Sequence, residues 1–152
     1  MIELSRSAYD EIVYQAYDGD EREVCGILAG EYDPDHTVVT DAYPAENVAD
    51  NPEIRYAIDP EEQFEITERI EEAGLEVAGF YHSHPAGPAE PSETDAARAT
   101  WPDFSYVIVA LDGYPFVGSW RWREDEERFE GERVRVVSSR SEGDGDDPVS
   151  CR

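Results

Sequence analysis

Leu75-Glu76-Val77-Ala78-Gly79-Phe80-Tyr81-His82-Ser83-His84-Pro85 is the stretch that decides how the chain is read. The apolar run ahead of the two histidines reads as a buried strand, and in a strand residues i and i+2 point to one face. His82 and His84 then reach one metal ion together. Ala86 to Pro91 is a Pro/Gly-rich loop, and Ser92-Glu93-Thr94-Asp95-Ala96-Ala97-Arg98 reads as the start of a helix. Ser92 and Asp95, three apart, sit on neighbouring edges of its first turn. Two imidazoles and one carboxylate make a three-ligand zinc set with the fourth position left for water, the arrangement of a catalytic site rather than a structural one. The chain has 3 histidines, and two of them fall here.

Working outward, Ser7-Ala8-Tyr9-Asp10 reads as a capping box, and the spacing of Ala8, Ile12, Val13 and Ala16 predicts an amphipathic helix over 7–17, ended by Gly19. Residues 24–29 form a buried strand. Asp33-Pro34-Asp35-His36 is a turn, and Thr37 to Thr40 returns beside the first strand as a hairpin. Pro44 to Pro52 is irregular, and Ile54 to Ile58 reads as a short strand. Asp59-Pro60-Glu61-Glu62 opens a second helix with an Asp cap, Pro at its first position and acids in the first turn. Phe64, Ile66, Ile70 and Ala73 give it an apolar face, and Gly74 closes it. Beyond the histidines, Phe104 to Leu111 is a strand, Asp112-Gly113 a turn, and Phe116 to Trp122 and Phe129 to Val137 are further strands. The expected fold class is α/β: a mixed, mostly antiparallel sheet flanked by helices, in one domain over 1–137. The Ser-, Gly- and Asp-rich segment 138–152 reads as an acidic, disordered tail.

The 152 residues carry a formal net charge of -25. Such a charge repels polyanions, so neither nucleic acid nor an anionic membrane is an expected partner. The basic residues are all arginine; there is no lysine. Together these features resemble proteins adapted to molar internal salt, where a Debye length of roughly 3 Å screens self-repulsion. Folding and activity are therefore expected to need high salt, and full activity in dilute buffer would contradict this. Cys25 lies in an apolar run and Cys151 in the tail, which argues against a disulfide framework and for a cytoplasmic location. No signal peptide and no apolar run of membrane-spanning length is legible.

A zinc ion with an open position lowers the pKa of a bound water towards neutrality. Amide cleavage also needs a base for the water proton and a donor for the oxyanion. Glu23, at the mouth of a buried strand, is the base candidate; Ser92, on the same helical turn as Asp95, is the oxyanion candidate. Each has a plainer reading. Glu23 is one acid among many, Ser92 is a helix cap, Asp95 is the acid of a capping box, and His36 is a solvent-exposed turn residue.

Glu23, then His82-Ser83-His84, seven residues, Ser92, two residues and Asp95 resemble the full signature of the JAMM (MPN+) metalloprotease family. The context Glu-x-Cys-Gly over 23–26 and Pro85 after the second histidine match as well. The resemblance implies the family's cytidine-deaminase-like fold, one zinc per chain held by His82, His84 and Asp95, Glu23 as general base and Ser92 as oxyanion donor. Among its members the chain looks like the short archaeal desampylases, which remove ubiquitin-like small archaeal modifier proteins from target lysines after a C-terminal Gly-Gly. The same motif serves a second reading, a peptidase that trims the C-terminus of a ubiquitin-like sulfur carrier. A third is a non-catalytic scaffold, against which the five intact positions argue.

Overall fold

A computed structural model describes residues 1–112 and 116–138. The expected tail from residue 139, with Cys151, and Gly113 of the expected turn lie outside the described residues. The elements run β1 (Ile2–Ser5), α1 (Arg6–Asp18), β2 (Cys25–Glu31), β3 (Thr37–Ala45), α2 (Pro60–Glu72), β4 (Glu76–His84), α3 (Glu93–Arg98), β5 (Ser105–Ala110), β6 (Phe116–Arg123), a 3-10 turn (Glu124–Glu126), β7 (Arg128–Glu132) and β8 (Val134–Val137). The strands form one sheet in the order β7-β6-β5-β4-β2-β3-β1-β8. β2–β3, β2–β4, β5–β6 and β6–β7 pair antiparallel, whereas β1–β3, β1–β8 and β4–β5 are parallel. The mixed, mostly antiparallel sheet with flanking helices is therefore the one expected.

The period-2 alternation of the central strands divides the core between two faces. Leu28, Tyr81 and Val107 face α1, where Ala8, Ile12 and Ala16 pack with Ile2, Leu4 and Val39. Their neighbours Ile27, Phe80 and Tyr106 face α2 and meet Ile66 and Ile70. Gly26 is required by the first of these contacts: a Cβ there would lie 2.4 Å from the Tyr81 ring.

β7 and β8 are separated by Arg133 alone, yet stand at opposite ends of the strand order. The sheet thus curls until its ends meet, and Ile2 N–H donates to Arg133 O at 2.9 Å. The seam is filled by Arg121, 1% exposed. Its guanidinium donates to Glu132 Oε1 (2.9 Å), to the carbonyls of Met1, Asp33 and Asp103, and to Thr37 Oγ1. Glu132 also accepts from Ser105 and Ser119. A buried charge survives only with such complete pairing.

Several expectations need correction. The cap of α1 is Ser5, not Ser7: Ser5 is extended and its Oγ accepts from Ala8 N–H at 3.1 Å, while Ser7 falls inside the first turn. β1, which the pattern reading did not name, runs straight into that cap. Residues 54–58 are not a strand; Ile54 is 60% exposed, and Asn47 takes up the segment's backbone groups. Phe64 is 62% exposed, so the buried stripe of α2 is Ile66 and Ile70. The expected last strand 129–137 breaks at Arg133 because its halves pair with different neighbours. His36 is exposed as expected but meets Glu3 Oε2 at 3.1 Å. No helix among the described residues is long and apolar enough to cross a membrane.

Candidate active site

Strand β4 lies mid-sheet between β2 and β5, and its alternation carries Phe80, His82 and His84 on one face. The two histidine Nε2 atoms are 3.2 Å apart, and each is 3.3 Å from Asp95 Oδ2. The three groups are buried. These separations match the edge of a tetrahedron whose centre lies ~2.0–2.1 Å from each corner, the usual zinc–nitrogen and zinc–oxygen distance. The donor set therefore fits a metal ion. His84 Nδ1 donates to Pro88 O at 2.8 Å, which fixes the ring so that Nε2, once a bound ion had displaced its proton, would turn a lone pair towards the cluster. His82 Nδ1 is buried without a hydrogen-bond partner among the described residues, and its ring stacks on Tyr56 at 4.4 Å.

Asp95 reaches the histidines from the first turn of α3. Ser92 Oγ accepts from Asp95 N–H (3.0 Å), and Ser92 N–H donates to Asp95 Oδ2 (2.8 Å), so a reciprocal capping box fixes the carboxylate. Burial opposes ionisation of Asp95, but hydrogen bonds from both histidines and from Ser92 hold its carboxyl well below the usual carboxylate range. Burial lowers the pKa of His82, partly offset by Asp95. Burial acts the same way on His84, yet the bonds to Asp95 and Pro88 raise it overall.

Glu23 arrives from the opposite strand. Cys25 pairs with His82, and the ladder continues as Ser83 N–H donates to Val24 O and Val24 N–H to Ser83 Oγ. Two residues further along that antiparallel register, Glu23 comes beside His84. It is 6% exposed, and its Oε1 has no hydrogen-bond partner among the described residues. Burial pushes its pKa up to about 7, with His84 lowering it and Asp95 raising it further. A carboxyl poised near neutrality is suited to taking and returning a proton.

That shift has a measurable sign. In metal-free protein the folded carboxyl keeps its proton up to about pH 7, while an unfolded one releases it near 4.5. The stabilisation is complete below the lower value and is lost as pH rises through the upper one. Glu23→Gln suffers no such loss. Its stability relative to the native chain should rise by about 1–3 kcal/mol between about pH 5 and pH 8, read from urea midpoints in chelator and molar salt. An unchanged difference would remove the raised pKa.

Ser92 is exposed, as a donor to incoming substrate has to be. Accepting from Asp95 N–H occupies a lone pair and leaves the hydroxyl proton for another acceptor. Ser92→Ala is expected to reduce kcat by ~10²–10³-fold if that proton meets an oxyanion, with about 1 kcal/mol of stability lost with the cap. A drop in stability without a drop in kcat would leave Ser92 as a cap alone.

His82, His84 and Asp95 converge, Ser92 is bonded to Asp95, and Glu23 interacts electrostatically with His84 and Asp95. Sequence reasoning missed two contributors. Tyr56 stacks on His82 and, with Phe80, Trp101 and Tyr106, lines a cavity of about 320 Å³. Asn47 donates to Glu23 O at 2.8 Å. Tyr56 was legible only as part of the supposed strand 54–58, and Asn47 only as one polar residue in an irregular segment.

Residues 5–123 match the family model described as prokaryotic homologs of the JAB domain. The chain is 44% identical over 123 residues to a desampylase of Haloferax volcanii, spanning 78% of this chain and 87% of that protein. It is 35% identical over 92 residues to a probable TtuB-protein conjugate cleaving protease of Thermus thermophilus, 60% of this chain and 58% of that one. Among solved structures, a solution structure from Desulfitobacterium hafniense superposes with a TM-score of 0.82 at 31% identity, covering 91% of this chain and 94% of that one.

Proposed function

Because the chain belongs to the family of prokaryotic JAB-domain homologs, we propose that it is a zinc-dependent isopeptidase releasing ubiquitin-like modifier proteins from lysines of their targets. The observation that carries this reading is the buried His82–His84–Asp95 triangle beside a buried Glu23 whose Oε1 has no hydrogen-bond partner among the described residues. The relatives named for desampylation and for cleaving protein conjugates support the substrate class. Small archaeal modifiers ending in Gly-Gly are the proposed substrates, on the strength of the similarity to the Haloferax enzyme.

His82, His84 and Asp95 would hold one zinc ion. When bound there, zinc supplies Lewis acidity that polarises the scissile carbonyl and acidifies water. The chain's own residues do the rest. Asp95, locked by the Ser92 capping box, brings a full negative charge to the ligand set. His84 presents Nε2 because Pro88 fixes its other nitrogen. Glu23 accepts a proton from the attacking water and returns it to the leaving lysine nitrogen, a role that needs its pKa near working pH. Ser92 donates its hydroxyl to the developing oxyanion.

The test is incubation with a lysine-linked modifier conjugate in molar salt, followed by mass spectrometry. Free modifier ending in Gly-Gly and a restored target lysine are expected, lost with chelator and regained with zinc. Cleavage confined to linear C-terminal extensions would replace this reading with that of a processing peptidase. A zinc-free protein indifferent to chelator would replace it with a scaffold.

A further inference from the structure

The segment between β3 and α2 has no regular structure, yet its ends are tied together and it grips the candidate site in two places. Val48 N–H donates to Ala57 O at 2.9 Å, and Ala57 N–H donates to Asn47 Oδ1 at 3.1 Å. Asn47 Oδ1 also accepts from Ala49 N–H at 3.0 Å. The other end of the same amide donates twice, to Glu23 O at 2.8 Å and to Arg55 O at 3.0 Å. The amide is buried, with both hydrogens and both lone pairs of its oxygen engaged. From the far side of the loop, Pro52 O accepts from Glu23 N–H at 2.7 Å.

The peptide groups of Glu23 are thus held on both flanks by this loop. The backbone groups on either side of Tyr56, Arg55 O and Ala57 N–H, are both bonded to Asn47. Tyr56 is the residue whose ring stacks on His82. One buried amide therefore connects the backbone of the carboxylate-bearing residue to the aromatic cover of a metal-ligating ring. Glu23 Oε1 itself has no hydrogen-bond partner among the described residues, so its placement depends on the main chain that carries it.

We infer that Asn47 is a positioning residue that sets Glu23 against the His82–His84–Asp95 triangle through the loop it closes. This rests on the reading of Glu23 as general base. A displacement of about 1 Å at a reacting group costs up to ~10²-fold in rate, so Asn47→Ala should lower kcat by ~10–100-fold. KM for the modifier conjugate and zinc content should stay as in the native protein, because Asn47 touches neither substrate nor metal ligand.

A double-mutant cycle separates positioning from general damage. Single-turnover rates are measured for Asn47→Ala, Glu23→Gln and the double variant, all loaded with zinc in molar salt. If Asn47 acts through the carboxylate, its substitution costs less than threefold once Glu23 is Gln. An unchanged kcat in Asn47→Ala, or a cost that multiplies fully in the double variant, would overturn the inference. Should Asn47→Ala not fold, Asn47→Ser keeps an acceptor for the nearby Ala49 N–H and loses the reach to Glu23 O; it should show the same loss and the same non-additivity. Native turnover in Glu23→Gln would instead dismiss the base assignment itself, a result distinct from any failure of Asn47.

Discussion

Replacing Glu23 with Gln is expected to lower turnover by ~10³-fold while leaving one zinc per chain. The substitution conserves volume at a site that is 6% exposed, so packing against β4 is kept. What goes is the ability to carry a proton, for which general catalysts contribute ~10²–10⁴-fold. The geometry makes a replacement hard to find. The antiparallel register continued from Cys25–His82 sets Glu23 beside His84, while Asp95 is committed to both histidines and to Ser92 N–H. Turnover on the conjugate and zinc by mass spectrometry settle the point together. Activity within tenfold of native would mean the proton passes elsewhere; loss of zinc would mean Glu23 belongs to the ligand set.

Asp95→Asn and His84→Ala should each lose the metal as well as the activity. Asparagine can still accept from Ser92 N–H, so the cap of α3 survives and the change falls on the charge offered to the ion. Zinc affinity, measured by competition with a chelator, should drop by more than ~100-fold, beyond what removing an outer-shell partner costs. His84→Ala also frees Pro88 O, so the 85–91 loop should become more open to limited proteolysis. Asp95→Asn should not show that second effect. A variant of either kind that keeps native zinc affinity would remove its residue from the ligand set.

Much of this site is legible because its signals are local. His82 and His84 share a face by strand alternation, and Ser92 and Asp95 meet through a capping box whose spacing is fixed by the helix. Glu23 is different. Its place at the mouth of a buried strand made it a candidate among many acids, and its spacing and Glu-x-Cys-Gly context against a known family signature singled it out. Asn47 was silent because its role lies in four bonds made to backbone groups, which carry no residue identity to read. The fold shows the same division. The helices announce themselves through Asp59-Pro60 and Gly74, and the buried strands through apolar runs. β1 has four residues, and its only sign is Ile2 and Leu4 around Glu3. Residues 129–137 look like one strand because hydrophobic pattern does not tell which neighbour a strand will find. Phe64 sits where helical period calls for burial, but the sheet is covered by Ile66 and Ile70.

The meeting of β7 and β8 across Arg133 bears on how the chain acquires its structure. Ile2 pairs with Val134 and Ser5 with Val137, so the earliest strand to be synthesised waits for the latest one. Every element of the candidate site, from Glu23 to Asp95, leaves the ribosome before that partner exists. Closing so long a loop carries an entropic cost that local contacts do not repay until the final strand docks, which gives the domain a high contact order and slow folding. During that interval β1 offers an open parallel edge, the kind of surface on which nascent chains associate wrongly. In molar salt the dense negative charge of this sequence is screened beyond roughly 3 Å, so it gives incomplete chains little protection from one another while they wait for residue 137.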